Sequence, residues 1–262
     1  MAVSSTLMSL LPWLVAIALN SALAAIAYFA PKKLLTPAGL VHAWILGILL
    51  WGTLGWQGYL IMMVYFLVGS SVTRIGMAQK EAAGIAEKRS GARGPENVWG
   101  SALIGTLCAI AAYVVSLAQP DRAATLVPLL ILGYVASIST KLSDTSASEI
   151  GKAYGKHTFL ITTLKPVPPG TEGAVSLEGT LAGVVASAAI ALIAWGVGLV
   201  SLPGVAICII AAFVATTAES LIGATLQSSY EWLTNEIVNV LNTLIGAIVA
   251  LLLATAIQVL GA

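Results

Sequence analysis

Charged residues are scarce in this chain: they make up 9% of its 262 residues, whereas hydrophobic residues make up 58%. A soluble domain of this length has roughly a quarter charged residues. The composition therefore excludes an ordinary soluble domain and indicates an integral membrane protein. The net charge of +1 gives no sign of nucleic-acid binding, which depends on a concentrated basic surface.

Cysteine and histidine are also rare, with two residues of each. Cys108 and Cys208 lie within apolar runs, which excludes a disulfide framework, and neither His42 nor His157 has a second metal ligand at a useful spacing. The sequence lacks both the Gly-x-x-x-x-Gly-Lys-Ser/Thr phosphate loop and the catalytic-loop signature of protein kinases. No Ser/His/Asp or Cys/His set for nucleophilic catalysis can be assembled from it either.

Long apolar runs dominate the chain instead. They predict an all-α protein with about eight transmembrane helices in a single transmembrane domain over residues 1–262, because a membrane span needs roughly 17–25 residues. The runs cover residues 7–29, 38–54, 57–73, 99–118, 123–140, 176–200, 203–226 and 237–260. Short matches in constant order, such as Thr36-Pro-Ala-Gly39 with Thr180-Leu-Ala-Gly183, leave open a repeat of two parallel four-helix halves.

The placement of basic residues predicts the orientation in the membrane. With eight spans, eleven of the twelve Lys and Arg residues fall in loops on one side. The positive-inside rule places these loops, including residues 74–98 and 141–175, in the cytoplasm or its equivalent, with both termini outside. Within the first loop, residues 78–86 form an amphipathic surface helix that is either a lid over a site or a solvated connector.

Polar residues concentrate from residue 141 onward. If the preceding helix continues, helical spacing places five of them on one face: Lys141, Asp144, Ser148, Gly151 and Gly155. Such a face offers a cation, a carboxylate, a hydroxyl and two positions without a side chain, so a phosphate and its metal could approach the backbone. The alternative for Asp144 is a polar helix end that reaches water.

The later spans add acidic and amide residues near the same side. Glu178 lies at the depth where the sixth span enters the membrane. Glu219 lies about two turns inside the seventh span, where an ionisable group is a functional candidate unless it extends to the interface. The eighth span opens with Asn235, Asn239 and Asn242 on one face, a stripe that either contacts a ligand or bonds neighbouring helices.

Four elements of the sequence form a spaced motif: Asp144-Thr-Ser-Ala-Ser-Glu-Ile-Gly151, Gly155, Lys165-Pro166 and Gly170-Thr-Glu-Gly-Ala-Val-Ser-Leu-Glu-Gly-Thr180. This motif resembles that of the phytyl-phosphate kinases of vitamin E (tocopherol) synthesis and, more distantly, that of the dolichol and phytol kinases. The resemblance implies a membrane enzyme that uses CTP and Mg²⁺ to convert a prenyl monophosphate to its diphosphate. It also implies a bacterial, cyanobacterial or plastid membrane.

We therefore predict a phosphotransferase, because carboxylates that hold Mg²⁺ and lysines that neutralise phosphate are what phosphoryl transfer requires; its dependence on CTP is what the resemblance implies. The expected catalytic residues are Asp144, Lys165 and Glu178. The expected metal ligands are Asp144, Glu149, Glu178 and Glu219. The expected contacts to nucleotide or acceptor are Arg93, Asn97, Ser148, Gly151, Lys152, Gly155, Lys156, Glu172, Thr180, Asn235 and Asn239.

The expected partners are a prenyl-phosphate lipid, a nucleoside triphosphate and membrane lipid, without nucleic acid; a homo-oligomer is left open. A prenyl alcohol kinase and a lipid cytidylyltransferase are the alternatives among enzymes. A secondary transporter is the alternative from another class. Transporters place their polar residues near the bilayer midplane, whereas here the ionisable residues cluster at one end of the spans.

Overall fold

Long helices account for most of the chain, as the apolar runs predict. The computed structural model describes residues 2–227 and 229–260. Its helices are α1 (Ala2–Phe29), α2 (Pro37–Thr73), α3 (Met77–Ala82), α4 (Pro95–Ala118), α5 (Pro120–Tyr154), α6 (Leu177–Gly196), α7 (Leu202–Ile222) and α8 (Asn235–Leu260). Within the described residues, all of these except α3 are long and apolar enough to cross a membrane. The prediction of an all-α integral membrane protein is confirmed.

Helix α2 contains two of the predicted spans, 38–54 and 57–73, and reverses direction between them at Gly55. This glycine has φ +67° and ψ −162°, a conformation essentially restricted to glycine. The Arg74 guanidinium donates a hydrogen bond to the Lys33 carbonyl (3.2 Å), so the two ends of α2 meet. A straight helix of this length would separate them by about 55 Å. The two halves of α2 are therefore the arms of a hairpin.

Local sequence signals mark where several helices begin. The side chain of Thr36 accepts a hydrogen bond from the Gly39 amide (3.0 Å), and that of Ser176 accepts one from the Gly179 amide (3.1 Å). Such caps satisfy amide groups that have no partner within the helix. Pro37 and Pro95 occupy the first helical positions of α2 and α4, where the missing proline N–H costs nothing.

Helix α5 is the centre of the bundle and extends well beyond the span predicted at 123–140. It packs against α2, α4, α6, α7 and α8, and all its residues from Leu132 to Ser143 are buried. It continues to Tyr154, so the first part of segment 141–175 is helix. Segment 141–175 then continues into a short antiparallel hairpin, β1 (Thr158–Leu160) with β2 (Ala174–Ser176).

The loops predicted to share one side lie at the same end of the bundle, here termed the loop end. Lys80 of α3 reaches Glu149 of α5, and Ile85 packs against Gly170. Gly173 lies against the last turn of α7, next to Ser220. The membrane side that this end faces, and the repeat of two halves, stay predictions.

Candidate functional site

A cavity of ≈ 460 Å³ opens at the loop end of the bundle. Its walls come from α5, the first turn of α6, the last three turns of α7 and the first turns of α8, and residues 169–176 cover one side. The end of α2 contributes Thr73, and the segment between α3 and α4 contributes Glu87. Polar groups from five helices and two loops therefore border one space, although Thr73 and Asn239 are 166 positions apart along the chain.

Lys141 joins two of these helices inside the cavity. It is 6% exposed, and its ammonium group donates hydrogen bonds to the Asp144 carboxylate on α5 and to Asn239 Oδ1 on α8 (2.6 Å). A buried ammonium group is stable only when it is paired and hydrogen-bonded. The one-face arrangement of Lys141, Asp144 and Ser148 that helical spacing predicts is observed along this wall of the cavity.

A second carboxylate, Glu219 of α7, faces Asp144 closely enough for a hydrogen bond between the two side chains. Asn242 of α8 donates to Glu219 Oε2 (2.6 Å), while Asn242 Oδ1 is buried and has no hydrogen-bond partner among the described residues. Two facing carboxylates repel each other when both are ionised. Lys141 balances one of them, so the remaining repulsion is relieved either by a further cation or by a proton shared between the two carboxylates.

The carboxylate pair fits a Mg²⁺ ion in its donor chemistry. Mg²⁺ usually takes one or two protein carboxylates and completes its shell with water and substrate phosphates. Asp144 and Glu219 provide such a pair at the surface of an open cavity. Within residues 2–227 and 229–260, no three Asp, Glu, His or Cys side chains lie close enough together to form an all-protein metal centre.

The two other expected metal ligands occupy different surroundings. Glu149 borders the cavity but is 2% exposed and pairs with Lys80 and, at 3.2 Å, with Lys152. Two lysines already balance its charge. Glu178 lies half-buried in the first turn of α6, and it is absent from the described residues that line the cavity. Of the expected set, the structure thus brings only Asp144 and Glu219 face to face.

Lys152 is the cation best placed for a phosphate at the mouth of the cavity. Its side chain is 19% exposed, with its ammonium group 3.2 Å from Glu149 and 4.0 Å from Glu87.

Other expected contact residues line the same cavity: Ser148, Gly151, Glu172, Thr180, Asn235 and Asn239. Asn235 also accepts a hydrogen bond from Gln227, at the end of a π-helical turn, Gly223–Gln227. Such turns are frequent at functional sites.

Four expected contact residues, and Lys165 of the expected catalytic set, lie away from this cavity in the described structure. Lys156 and Gly155 border a smaller cavity of ≈ 200 Å³ beside His157, and Lys165 is exposed and borders neither. Arg93 stacks on the Tyr65 ring, 5.1 Å from its centroid. Asn97 Oδ1 caps α4 by accepting from the Gly94 amide (3.0 Å). Arg93 and Asn97 therefore have structural contacts.

The glycines expected to admit a phosphate also allow α5 and α6 to pack closely. A Cβ atom on Gly179 would lie 2.5 Å from the Ala147 carbonyl and 3.3 Å from Gly151 Cα. On Gly155 it would lie 3.0 Å from Ser176 Oγ, at the N-cap of α6. Small residues at helix contacts are a common means of packing in membranes. Gly151 lines the cavity as well, so at this position both interpretations apply.

Sequence reasoning missed Lys80 as a partner of Glu149. A lysine in a mixed-charge loop has the pattern of a solvated residue, yet Lys80 is 1% exposed. It also donates to the Thr73 carbonyl at 2.7 Å. Gln227 was missed as well, because a π-helical turn leaves no periodic signal in the sequence.

Comparisons with known proteins agree with the membrane architecture. A model of the family described as "Integral membrane protein DUF92" matches residues 20–247. The chain is 62% identical over 240 residues to an uncharacterized membrane protein of Synechocystis, covering 92% of this chain and 90% of that protein. It is 31% identical over 223 residues to an uncharacterized membrane protein of Methanocaldococcus jannaschii, covering 85% and 87%. No solved structure matches the chain.

A plant protein is also similar. The chain is 47% identical over 221 residues to the chloroplastic protein VTE6 of Arabidopsis thaliana, which covers 84% of this chain and 65% of VTE6. Together, the family match and these relatives confirm the resemblance to phytyl-phosphate kinases that the motifs in residues 144–180 indicate.

Proposed function

We propose, from the premise that this chain belongs to the DUF92 family of integral membrane proteins, that it transfers a phosphoryl group from a nucleoside triphosphate to a prenyl monophosphate. The product is a prenyl diphosphate, and CTP with Mg²⁺ is the expected donor. One observation supports this most directly: a lysine, two facing carboxylates and an amide from α5, α7 and α8 converge in one cavity.

The proposed step is a single displacement at phosphorus. A non-bridging oxygen of the prenyl phosphate attacks the terminal phosphorus of the nucleotide and forms a new P–O bond. The bond from that phosphorus to its bridging oxygen breaks, and the electron pair leaves with the nucleoside diphosphate. Positioning and charge stabilisation dominate the catalysis of such transfers.

The side chains of the cavity have separate parts in this proposal. Asp144 and Glu219 would hold Mg²⁺, which when bound would offset the repulsion between the two phosphate groups. Lys152 contacts the nucleotide phosphates at the mouth of the cavity. Lys141 holds Asp144 and Asn239 in place, so that the carboxylate and the amide keep a fixed orientation toward the reacting groups.

The described lining of the cavity contains no histidine, and its facing carboxylates are assigned to the metal in this proposal, which favours a phosphate acceptor over an alcohol. A phosphate monoester has a second pKa of about 6 and is mostly dianionic at pH 7, so it can attack without losing a proton. An alcohol benefits from a base. His157 lies beside the smaller cavity, and among the described residues no histidine lines the larger one.

The position of the cavity supports a lipid substrate. The site lies at the loop end, to which the eleven clustered Lys and Arg residues belong, and the positive-inside rule assigns this end to the cytoplasm or its equivalent. A lipid phosphate at that interface would meet a soluble nucleotide there. The ionisable groups of the cavity lie at one end of the bundle, which disfavours transport through its middle.

The test uses purified full-length protein in nanodiscs with Mg²⁺ and either CTP or ATP labelled at the γ-phosphate or the α-phosphate. Phytol, phytyl phosphate, geranylgeranyl phosphate and phosphatidate are offered as acceptors. We expect γ-label in the diphosphates of the two prenyl phosphates. Label in phytyl monophosphate would identify an alcohol kinase, and α-label in a lipid product would identify a cytidylyltransferase. Either result without prenyl diphosphate overturns the proposal.

A further inference from the structure

The cavity also reaches the side of the bundle, between α6 and α7. Thr180 of α6 and Phe213 of α7 both line the cavity, and both are exposed, Phe213 at 49%. Thr180 lies in the first turn of α6, at the loop end, whereas Phe213 lies more than two turns before the end of α7. The wall formed by α7 therefore extends into an apolar span, and this stretch is the candidate for a lateral opening of the cavity.

One face of α7 leads from the carboxylate pair to this opening. Phe213, Thr216, Thr217 and Ser220 all line the cavity, and their spacing places them on one stripe of the helix. The hydroxyls of Thr216, Thr217 and Ser220 are already bonded to carbonyls of their own helix. The stripe therefore presents mainly methyl, methylene and aromatic groups to the cavity.

The distance along α7 between Glu219 and Phe213 suits a lipid whose phosphate lies at the carboxylate pair and whose alkyl chain begins at the opening. Phe213 and Glu219 are six positions apart on α7, which is about 9 Å along the helix axis. The neighbouring surface outside the opening is apolar, with Leu177 at 70% and Leu181 at 56% exposed on α6. An alkyl chain whose phosphate lies beside Asp144 and Glu219 can leave the cavity here without crossing the loop end.

We propose that the opening bounded by Thr180, Phe213 and Thr217, termed the α6–α7 portal, holds the isoprenoid chain of the acceptor. This inference rests on the proposed function and adds the position of the chain. A large side chain introduced at the portal should then hinder acceptors with a long chain more than those with a short one, because only the long chain passes through the portal. The nucleotide lies on the other side of the carboxylate pair and is not affected.

The first experiment compares Thr217→Trp with Val214→Trp in full-length protein. Thr217 and Val214 have nearly the same volume and lie on the same helix, but Val214 is 41% exposed and is not a cavity residue in the described structure. We expect Thr217→Trp to lower kcat/KM for phytyl phosphate by about tenfold through overpacking. The value for dimethylallyl phosphate and the KM for the nucleotide should change by less than about twofold.

The same measurements define what contradicts the portal. Val214→Trp should leave kcat/KM for both acceptors within about twofold of the wild-type value. The portal is overturned if Thr217→Trp lowers kcat/KM equally for the long and the short acceptor. It is also overturned if Thr217→Trp leaves kcat/KM unchanged for both. Thr217→Val provides a control for the lost hydroxyl, because it keeps the volume and removes only the bond to the Phe213 carbonyl.

A second experiment separates failure of the portal from failure of the proposed function. A prenyl phosphate with a diazirine in the middle of its chain is photolysed on the protein, with unlabelled phytyl phosphate as competitor, and the modified peptides are mapped. Competed labelling of residues 177–185 and 210–221 supports the portal, even if no phosphoryl transfer is detected. Transfer to phytyl phosphate with competed labelling confined to α1, α2 or α4 overturns the portal and leaves the proposed function intact.

Discussion

Lys80 and Glu149 form an ion pair in the interior of the protein, although 69 positions separate them in the sequence. Their side chains are 1% and 2% exposed. The pair fastens the short helix α3 to the central helix α5, beside the cavity. Because Lys80 and Lys152 balance its charge, Glu149 holds the loop end together and has little negative charge left for a metal.

Replacing Glu149 with glutamine should destabilise the protein strongly. The change leaves Lys80 buried without a counter-charge, and breaking one partner of a buried pair costs about 3–5 kcal/mol. Thermal unfolding in detergent measures the effect as a lower midpoint. Glu96→Gln is the matched control, because the Arg89–Glu96 pair is 46% and 40% exposed and such pairs contribute about 1 kcal/mol or less. A Glu149→Gln protein with unchanged unfolding but altered Mg²⁺ dependence would support the metal role expected from its motif.

Asp144→Asn should abolish most activity, and because it removes the ion-pair partner of the buried Lys141, it should also lower the unfolding midpoint. Removing one carboxylate weakens the hold on Mg²⁺, and loss of one charge-stabilising group typically lowers kcat by about 100-fold. Initial rates are measured over a range of Mg²⁺ concentrations, and Glu219→Gln should behave alike. Asp121→Asn is the control, since Asp121 lies in the first turn of α5 at the opposite end of the bundle. Full activity in a folded Asp144→Asn protein would remove Asp144 from the proposed metal site.

Lys152→Gln and Lys165→Gln test which lysine contacts the nucleotide phosphates: the cavity geometry favours Lys152, whereas the family motif favours Lys165. We expect Lys152→Gln to raise the KM for the nucleotide about tenfold, because a hydrogen bond to a charged group is lost. Lys165 is exposed and borders neither cavity, so its substitution should change KM by less than about twofold. Steady-state kinetics at saturating acceptor measure both. A comparable rise for Lys165→Gln would mean that residues 158–173 close over the nucleotide and bring Lys165 to its phosphates.

Gly55→Ala tests the hairpin in α2. A Cβ atom at this position would meet only Gln57 Oε1, at 3.3 Å, so the penalty comes from the backbone conformation and amounts to about 1–3 kcal/mol. The unfolding midpoint should fall. Gly196→Ala is the control, because no atom lies within 4 Å of its added methyl group and its φ is not positive.

Spin labels attached at positions 33 and 74 measure the hairpin in α2 directly, in a protein that keeps Gly55. The Arg74 side chain reaches the Lys33 carbonyl, so the two backbones lie within the length of an arginine side chain of each other and a short distance is expected between the labels. A separation near about 55 Å would instead indicate a straight α2.

The membrane architecture follows from local properties of the sequence. Hydropathy and span length are set within each segment, so the helical spans and the shared end of the charged loops could be predicted without tertiary information. Helical spacing likewise predicts that Lys141, Asp144 and Ser148 lie on one face. The hairpin between 38–54 and 57–73 is visible in the sequence as two spans, but the conformation of Gly55 is not.

Pairing between distant residues could not be predicted in the same way. Arg93 and Asn97 have the composition of a phosphate site, yet their partners are Tyr65 and the Gly94 amide. Likewise, Gly179 faces Ala147 and Gly151 because α5 and α6 approach closely. Which polar groups pair depends on how the helices cross, and the sequence of one helix does not determine which helix packs against it.

The sequence by itself determined a multi-span helical membrane protein with its ionisable residues gathered at one end, because transfer of apolar segments into lipid depends only on their own composition and length. Only the tertiary structure decided that Asp144 meets Glu219, that Glu149 is paired with Lys80, and that Phe213 borders the cavity. Those outcomes depend on how α5, α6, α7 and α8 pack, and in lipid that packing is selected by close contact and hydrogen bonding between helices.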